Sequence, residues 1–214
     1  MRTKTLLILS FFACLTAQAK LEVSSFFNDH MVLQRDQALP VWGEAVPGSE
    51  VVVRFRDDSA SAVADTSGAW LAQLPEQPVG APGQLEISSG EQTIVFEDVL
   101  VGEVWLCSGQ SNMQWRVDRG LNPDAEVAAA DYPSIRLFEV PSRWSLEPEA
   151  DVEAEWVICS PSTIASFSAV GYFFGRELWR ELGVPIGLVS SNWGGTPAEA
   201  WTPMPEGCQR LFGR

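Results

Sequence analysis

The distribution of apolar and polar residues changes in character about halfway along the chain. In the first part, short apolar segments alternate with turn-forming pairs such as Pro47-Gly48 and Ser67-Gly68. Segments of this length, bounded by Gly, Pro, Asp and Ser, favour strands over helices. We therefore predict a small antiparallel β-sandwich, with strands at residues 32–33, 39–42, 51–55, 69–74, 84–87 and 93–96.

In the second part, strand-like and helix-like segments alternate, which is typical of a doubly wound α/β domain. We predict a helix at residues 125–130 and a strand at 135–140. The longest helical pattern covers residues 164–182, and Gly183 and Pro185 follow it as stop signals. Its predicted buried face consists of Phe167, Val170, Phe173, Phe174, Leu178 and Leu182.

The first nineteen residues have the pattern of a secretory signal peptide. Arg2 and Lys4 form a basic start, residues 6–15 form an apolar run, and small residues occupy the cleavage site at 17–19. The run is shorter than the roughly 20 apolar residues of a membrane-spanning helix, and no later segment approaches that length. We predict an exported protein, periplasmic or extracellular, without a membrane span.

Composition narrows the choice of partners. The formal charge of −14 disfavours nucleic acid and is more compatible with a neutral or weakly charged ligand such as a glycan. After signal cleavage, Cys107, Cys159 and Cys208 remain, and we interpret the first two as small apolar residues rather than disulfide partners. No Cys-x-x-Cys pair or histidine cluster is present, so we predict no metal site.

One predicted strand ends close to a serine with the surroundings of a nucleophile. The apolar residues 104–106 precede Ser108 and Gly109, which allow a sharp turn before Ser111. In open α/β sheets, ligands bind beyond the carboxyl ends of the strands, and the helix that follows directs its positive N-terminus at negative charge. Ser111 is therefore a candidate nucleophile, with an ordinary helix N-cap as the alternative.

A second predicted strand, at residues 186–189, leads to the loop 191–196 at the same rim of the sheet. Gly194 and Gly195 in this loop let the backbone approach a substrate closely, although a simple tight loop explains them equally well. We interpret Asn112 as a helix cap.

The general base is the missing component of this site. The chain contains one histidine, His30, about 80 residues upstream of Ser111, and we interpret it as structural. The Gly-x-Ser-x-Gly elbow of α/β-hydrolases is also absent, because residues 109–113 lack the second glycine.

Three segments resemble the sialate O-acetylesterase family of SGNH-type carbohydrate esterases. Residues 103–115, which include Gly-Gln-Ser-Asn-Met, resemble the nucleophile block of that family. Residues 27–35 resemble its N-terminal signature, and residues 185–201 resemble its second active-site block. The resemblance thus extends over most of the chain, from about residue 21 to residue 203.

The resemblance implies removal of O-acetyl groups from sugars through Ser111, without a cofactor. The oxyanion would be held by the backbone N–H groups of Ser111 and of Gly194 or Gly195. In the family, a catalytic histidine and an aspartate lie near a far C-terminus, whereas this sequence ends at Arg214. We therefore expect an N-terminal fragment with little or no turnover.

The resulting domain prediction has three parts: a signal peptide at 1–19, a β-sandwich at 20–98, and the N-terminal part of an SGNH-like esterase domain at 99–214. Two alternatives remain, a noncatalytic glycan-binding module and a nonfunctional gene fragment. Trp115, Trp193 and Trp201 flank the motif loops, but tryptophans are also common core residues, so none is assigned to a sugar subsite. The sequence makes no prediction of oligomeric state.

Overall fold

A computed structural model of the protein describes residues 20–145, 149 and 151–201. The predicted signal peptide, Cys208 and the end of the predicted third part lie outside these residues. Within them, no helix has the length and apolar character needed to cross a membrane.

The described residues form a sheet-rich structure with short helices. The strands are β1 (Glu22–Val23), β2 (Val32–Gln34), β3 (Leu39–Glu44), β4 (Glu50–Phe55), β5 (Asp58–Val63), β6 (Ala69–Leu74), β7 (Gly83–Ser89), β8 (Gln92–Gly109), β9 (Tyr132–Glu139), β10 (Trp156–Cys159) and β11 (Ile186–Asn192). The α-helices are α1 (Pro123–Ala128) and α2 (Ala169–Leu182), and 3-10 turns cover Val117–Arg119 and Ala198–Trp201.

The strands form two sheets. One is a three-stranded antiparallel sheet in the order β1-β3-β6, and the other is an eight-stranded mixed sheet in the order β10-β9-β11-β8-β7-β4-β5, with β2 also paired to β8. The protein is thus a mixed α/β structure dominated by sheet. The finer assignments, a sandwich followed by a doubly wound SGNH-like domain, stay predictions.

Strand β8 links the two parts of the molecule. The sequence predicts separate strands at 93–96 and 104–106, but the structure has one strand of 18 residues. Its first half pairs antiparallel with β7, and its second half pairs parallel with β11. The chain therefore continues as one strand through the predicted domain boundary at residue 98.

The segment that resembles the N-terminal family signature braces β8. Its strand β2 pairs in parallel with β8 at Leu100–Gly102. On one side of this pairing, His30 Nδ1 lies 2.7 Å from Asp98 Oδ2, and on the other Arg35 Nε donates to Glu103 Oε1 at 2.7 Å. These polar contacts fix the position of the long strand from both sides.

Two apolar cores lie against this sheet. Residues buried in the first include Val41, Val51, Phe55, Leu85 and Val101. The second lies under α2 and contains both described cysteines, which are free and buried. Burial raises the pKa of Cys159 to about 12, so its thiol stays protonated and packs as a small apolar group.

Helix α2 is shorter than predicted, beginning at Ala169 rather than at residue 164. The Ser168 hydroxyl caps it by accepting the Gly171 N–H at 3.1 Å. The predicted end is confirmed, since Gly183 adopts a left-handed conformation with φ of 65°.

The predicted buried face of α2 is only partly confirmed: Phe167, just before the helix, is buried, and Leu178 packs against the second core. Val170, Phe173, Phe174 and Leu182 are 37–48 % exposed, whereas Ala169, Gly171, Tyr172 and Gly175 are buried. The reason is close packing on β11, because a Cβ on Gly175 would lie 2.6 Å from Leu188 Cδ1. The helix approaches the sheet through Gly171, Gly175 and the buried Tyr172, and Phe173 and Phe174 are left towards solvent.

Candidate active site

The site forms where β8 and β11 end side by side. The two strands are parallel and in register, with Asn192 opposite Gly109. The pairing extends one step further, since the Trp193 N–H donates to the Gly109 carbonyl at 3.0 Å. The loops after these strands therefore leave the sheet at the same rim, as the sequence predicts.

Ser111 lies on a single tight turn directly after β8. Gly109 has a φ of 146°, and the Gln114 N–H donates to the Gln110 carbonyl at 3.0 Å to close the turn. Ser111 is exposed, and its hydroxyl has no hydrogen-bond partner among the described residues. The side chain is thus accessible to a ligand.

The helix predicted to follow Ser111 is absent from the described structure. Residues 111–114 form a turn, and the next regular element is the 3-10 turn Val117–Arg119. The predicted cap at Asn112 is therefore wrong, and its backbone carbonyl accepts the Trp115 N–H at 3.3 Å instead. Any stabilisation of negative charge here depends on individual N–H groups rather than on a helix end.

The structure brings the double-glycine loop against Ser111. A Cβ on Gly194 would lie 3.3 Å from Ser111 Oγ and 2.6 Å from Gln114 Oε1. The Gly194 N–H donates to Gln114 Oε1 at 2.8 Å, which ties the two loops together. Gly195 has a φ of 81°, and open space surrounds the position its Cβ would take.

These contacts distinguish the two glycines as oxyanion donors. The Gly194 N–H is occupied by Gln114. The N–H groups of Ser111 and Gly195 have no hydrogen-bond partner within residues 20–145, 149 and 151–201. The geometry therefore leaves Ser111 and Gly195 as the available donors, and their catalytic roles stay predictions.

A cleft of about 480 Å³ opens around Ser111, a size suited to a small ligand. Glu139, at the end of β9, lines it together with Asn192. Burial raises the pKa of the Glu139 carboxyl, while the charge of Arg116 partly opposes the shift. Glu139 is exposed at the surface of the cleft, and its raised pKa makes the carboxylate a stronger base than usual.

The lining of this cleft is completed by Gln114, Trp115, Arg116, Arg119, Ser166 and Ser168. Arg116 is paired with Asp118, with its Nη2 2.5 Å from Oδ2. Within the described ranges, no group of three or more histidine, cysteine, aspartate or glutamate residues is arranged to hold a metal ion.

His30 is far from Ser111. It pairs with Asp98, which lies 11 residues before the end of β8, a distance of roughly 35 Å along a strand. Asp98 also accepts from Arg136, whose Nη1 lies 2.8 Å away and whose side chain is only 4 % exposed. His30 therefore belongs to a structural ion-pair network beside the first half of the strand, away from Ser111.

Sequence reasoning missed Gln114 and Glu139. A signal existed for Glu139, since it is the charged residue near the end of a predicted strand whose carboxyl end meets the same rim. For Gln114 no local signal existed, because its contact with Gly194 spans 80 residues of sequence.

Known carbohydrate esterases are similar to this chain. The family model for carbohydrate esterases, sialic acid-specific acetylesterases, matches residues 101–214. Sialate O-acetylesterase of Homo sapiens is 35 % identical over 199 residues, with 84 % of this chain and 38 % of the human protein covered. The Mus musculus protein is 34 % identical, with 84 % and 37 % covered.

A solved structure matches as well. The crystal structure of a carbohydrate acetylesterase from Xanthomonas citri superposes with a TM-score of 0.82 at 41 % identity, with 85 % of this chain and 42 % of that chain covered. These matches place the protein in the class of carbohydrate esterases. The chain belongs to the sialic acid-specific acetylesterase family, and it spans about two fifths of the length of the relatives it matches.

Proposed function

We propose that this chain carries the nucleophile side of a carbohydrate O-acetylesterase site of SGNH type, with Ser111 as the attacking residue. The observation that supports it most strongly is the placement of an exposed serine hydroxyl 3.3 Å from the Cβ position of Gly194. In the same two loops, the backbone N–H groups of Ser111 and Gly195 have no hydrogen-bond partner among the described residues. The family match supplies the substrate class, an O-acetylated sugar or glycan. We also propose export from the cytoplasm.

In the proposed reaction, Ser111 Oγ bonds to the acetyl carbonyl carbon while its proton passes to a base. The Ser111 and Gly195 N–H groups donate to the oxyanion that forms. The bond from the carbonyl carbon to the sugar oxygen then breaks, and that oxygen takes up the proton. Water cleaves acetyl-Ser111 in the same manner and releases acetate.

The base determines how fast this chain turns over. His30 does not act as this base, because it pairs with Asp98, 11 residues before the end of β8. Glu139 lines the cleft and accepts the Ser111 proton directly or through water in our proposal. A single unaligned carboxylate is a weaker catalyst than a hydrogen-bonded histidine, so we expect slow hydrolysis.

The test is acetate release from O-acetylated N-acetylneuraminic acid and from acetylated xylo-oligosaccharides, with and without added imidazole as an external base. We expect slow acetate release that imidazole accelerates, and we expect Ser111→Ala to lose both the slow release and its acceleration by imidazole. The matched control is Ser108→Ala, which changes an exposed serine on strand β8 and should keep both rates. Equal rates in the wild type and Ser111→Ala contradict the proposal.

A further inference from the structure

A second cavity adjoins the Ser111 cleft and is bordered by three tryptophans. It has a volume of about 480 Å³ and lies between the segment 140–145 and the loop 191–201. We name it the tryptophan groove, after Trp144, Trp193 and Trp201 in its lining. Neither the family match nor the proposed chemistry at Ser111 assigns it a role.

Hydrogen bonds fix one wall of the groove. The Trp201 indole N–H donates to Thr196 Oγ1 at 2.8 Å, and the Thr196 hydroxyl donates to the Trp193 carbonyl at 2.7 Å. The Trp193 N–H is in turn bonded to Gly109 at the end of β8. The polar edge of Trp201 is thus satisfied internally, and the wall is preorganised relative to the sheet.

The opposite wall exposes a large aromatic surface. Trp144 is 76 % exposed and lines the groove, so its large apolar surface is accessible to a ligand there. Polar groups of Ser142, Arg143 and Asn192 line the same groove. Flat apolar faces flanked by hydrogen-bonding groups are suited to a sugar ring, which presents C–H groups on its faces and hydroxyls at its edge.

The groove adjoins the nucleophile cleft. Asn192 lines both cavities, and Trp193 directly precedes Gly194, which contacts Ser111. A ring bound in the groove would therefore neighbour the sugar whose acetyl group reaches Ser111.

We infer that the tryptophan groove is a subsite for a second sugar ring, so that the chain recognises an acetylated oligosaccharide rather than an isolated monosaccharide. The inference rests on the proposed function for the class of ligand. Trp144 and Trp201 stack on the added ring, and Asn192 and Arg143 contact its hydroxyls.

The test is calorimetric binding to the full chain in the Ser111→Ala background, which separates binding from turnover. Two pairs of probes are compared: N-acetylneuraminic acid with 3′-sialyllactose, and xylose with xylotetraose. We expect the longer ligand of at least one pair to bind about tenfold more tightly, which corresponds to about 1.4 kcal/mol. The pair that shows the gain identifies the type of glycan.

Variants then show which side chains are responsible for the gain in affinity for the longer ligand. Trp144→Ala and Trp201→Ala should each remove most of it, while Trp105→Ala, a half-exposed tryptophan outside both cavities, should leave it intact. Thermal melting checks that each variant is folded, and Trp144→Ala is the more secure test because its side chain is largely free of packing. Equal affinity for both members of each pair, or a gain that survives in both groove variants, overturns the inference.

Failure here is distinguishable from failure of the proposed function. Acetate release that depends on Ser111, combined with no preference for longer sugars, would contradict the subsite and support the proposed esterase function. Tighter binding of the longer sugar without any acetate release would support the subsite and contradict the proposed esterase function.

Discussion

The two halves of strand β8 differ although they belong to one continuous element. Before Gly102, the strand pairs with β7 and β2, and Val99, Leu100 and Val101 are buried. After Gly102, it pairs only with β11 among the described strands, and Leu106 is 66 % exposed. The first half is a scaffold, and the second half presents Ser111 at a solvent-accessible rim.

The strand that pairs with β8 changes from β2 to β11 at Gly102, and the reason is steric. A Cβ on Gly102 would overlap the carbonyl oxygen of Pro185, which precedes β11. Only glycine lets the pairing pass from β2 to β11 at this point. The comparison suggests that substitutions before Gly102 affect stability, and that substitutions near the rim affect chemistry.

The largest expected effect is on stability, from the same substitution made in each half. Leu100→Ala removes a side chain that is 5 % exposed and should lower the free energy of unfolding by about 2–5 kcal/mol. Leu106→Ala should change it by no more than about 0.5 kcal/mol. Urea denaturation measures both, and similar losses would show that the two halves do not differ.

A second stability effect concerns the ion-pair network at the scaffold end. Burial raises the pKa of Asp98, but hydrogen bonds from Arg136 and His30 outweigh it and lower the pKa below 3.8. The carboxylate therefore stabilises the fold above pH 3.8, and this contribution is lost as the pH falls through the lowered pKa.

Asp98→Asn should cost about 2 kcal/mol at neutral pH, less than for a fully buried pair because Asp98 is 32 % exposed. Denaturation at pH 7 and pH 3 tests this prediction, since the variant should lose less stability on acidification than the wild type. Equal acid sensitivity of the two proteins would show that Asp98 contributes nothing.

At the rim, Gly194→Ala should reduce acetate release by about 10- to 100-fold and leave the melting temperature nearly unchanged. The added methyl group would lie 2.6 Å from Gln114 Oε1 and 3.3 Å from Ser111 Oγ, so the Gln114 side chain must shift and its hydrogen bond with the Gly194 N–H is disturbed. Small displacements of a reacting group are costly in rate. A variant that melts earlier but keeps its rate would place Gly194 in the scaffold instead.

A smaller effect is expected for Glu139→Gln, with a roughly tenfold loss of rate. A base must be deprotonated, and because the Glu139 pKa is raised above 4.5, the wild-type rate should increase with pH through a range above 4.5. This rise should disappear in the variant.

Stability should respond in the opposite direction in the same variant. A carboxyl whose folded pKa is raised loses stability as the pH increases through that range, so the neutral amide should melt at the same or a higher temperature at pH 7. An unchanged rate profile in Glu139→Gln would remove Glu139 from the reaction.

The sequence predicts the elements around the site better than the faces that they bury. The alternation of short apolar segments with turn-forming residues predicted most strands before residue 98, and Gly183 predicted the end of α2. The Asp58–Val63 strand was missed, because its alternating Ser and Ala residues include no large β-branched or aromatic side chain before Val63. The buried face of α2 was only partly predicted, because close approach to Leu188 selects Gly175 over larger residues, which a hydrophobic period does not encode.

Prediction of the candidate active site from the sequence has the same limit as prediction of the fold. Strand ends and small residues located Ser111, Gly194 and Gly195, because parallel strands deliver their loops to one rim. The tie between Gln114 and Gly194 and the raised pKa of Glu139 depend on three-dimensional neighbours. Contacts of that kind leave no periodic signal in the chain.

The most direct test of the account is to locate the acetyl group after brief incubation with p-nitrophenyl acetate, acid quenching and peptide mass spectrometry. Slow deacylation should let acetyl-Ser111 accumulate, while Ser108 on the same segment stays unmodified. Ester consumption with the acetyl group on other residues, or with none on Ser111, would contradict the assignment of Ser111 as the nucleophile.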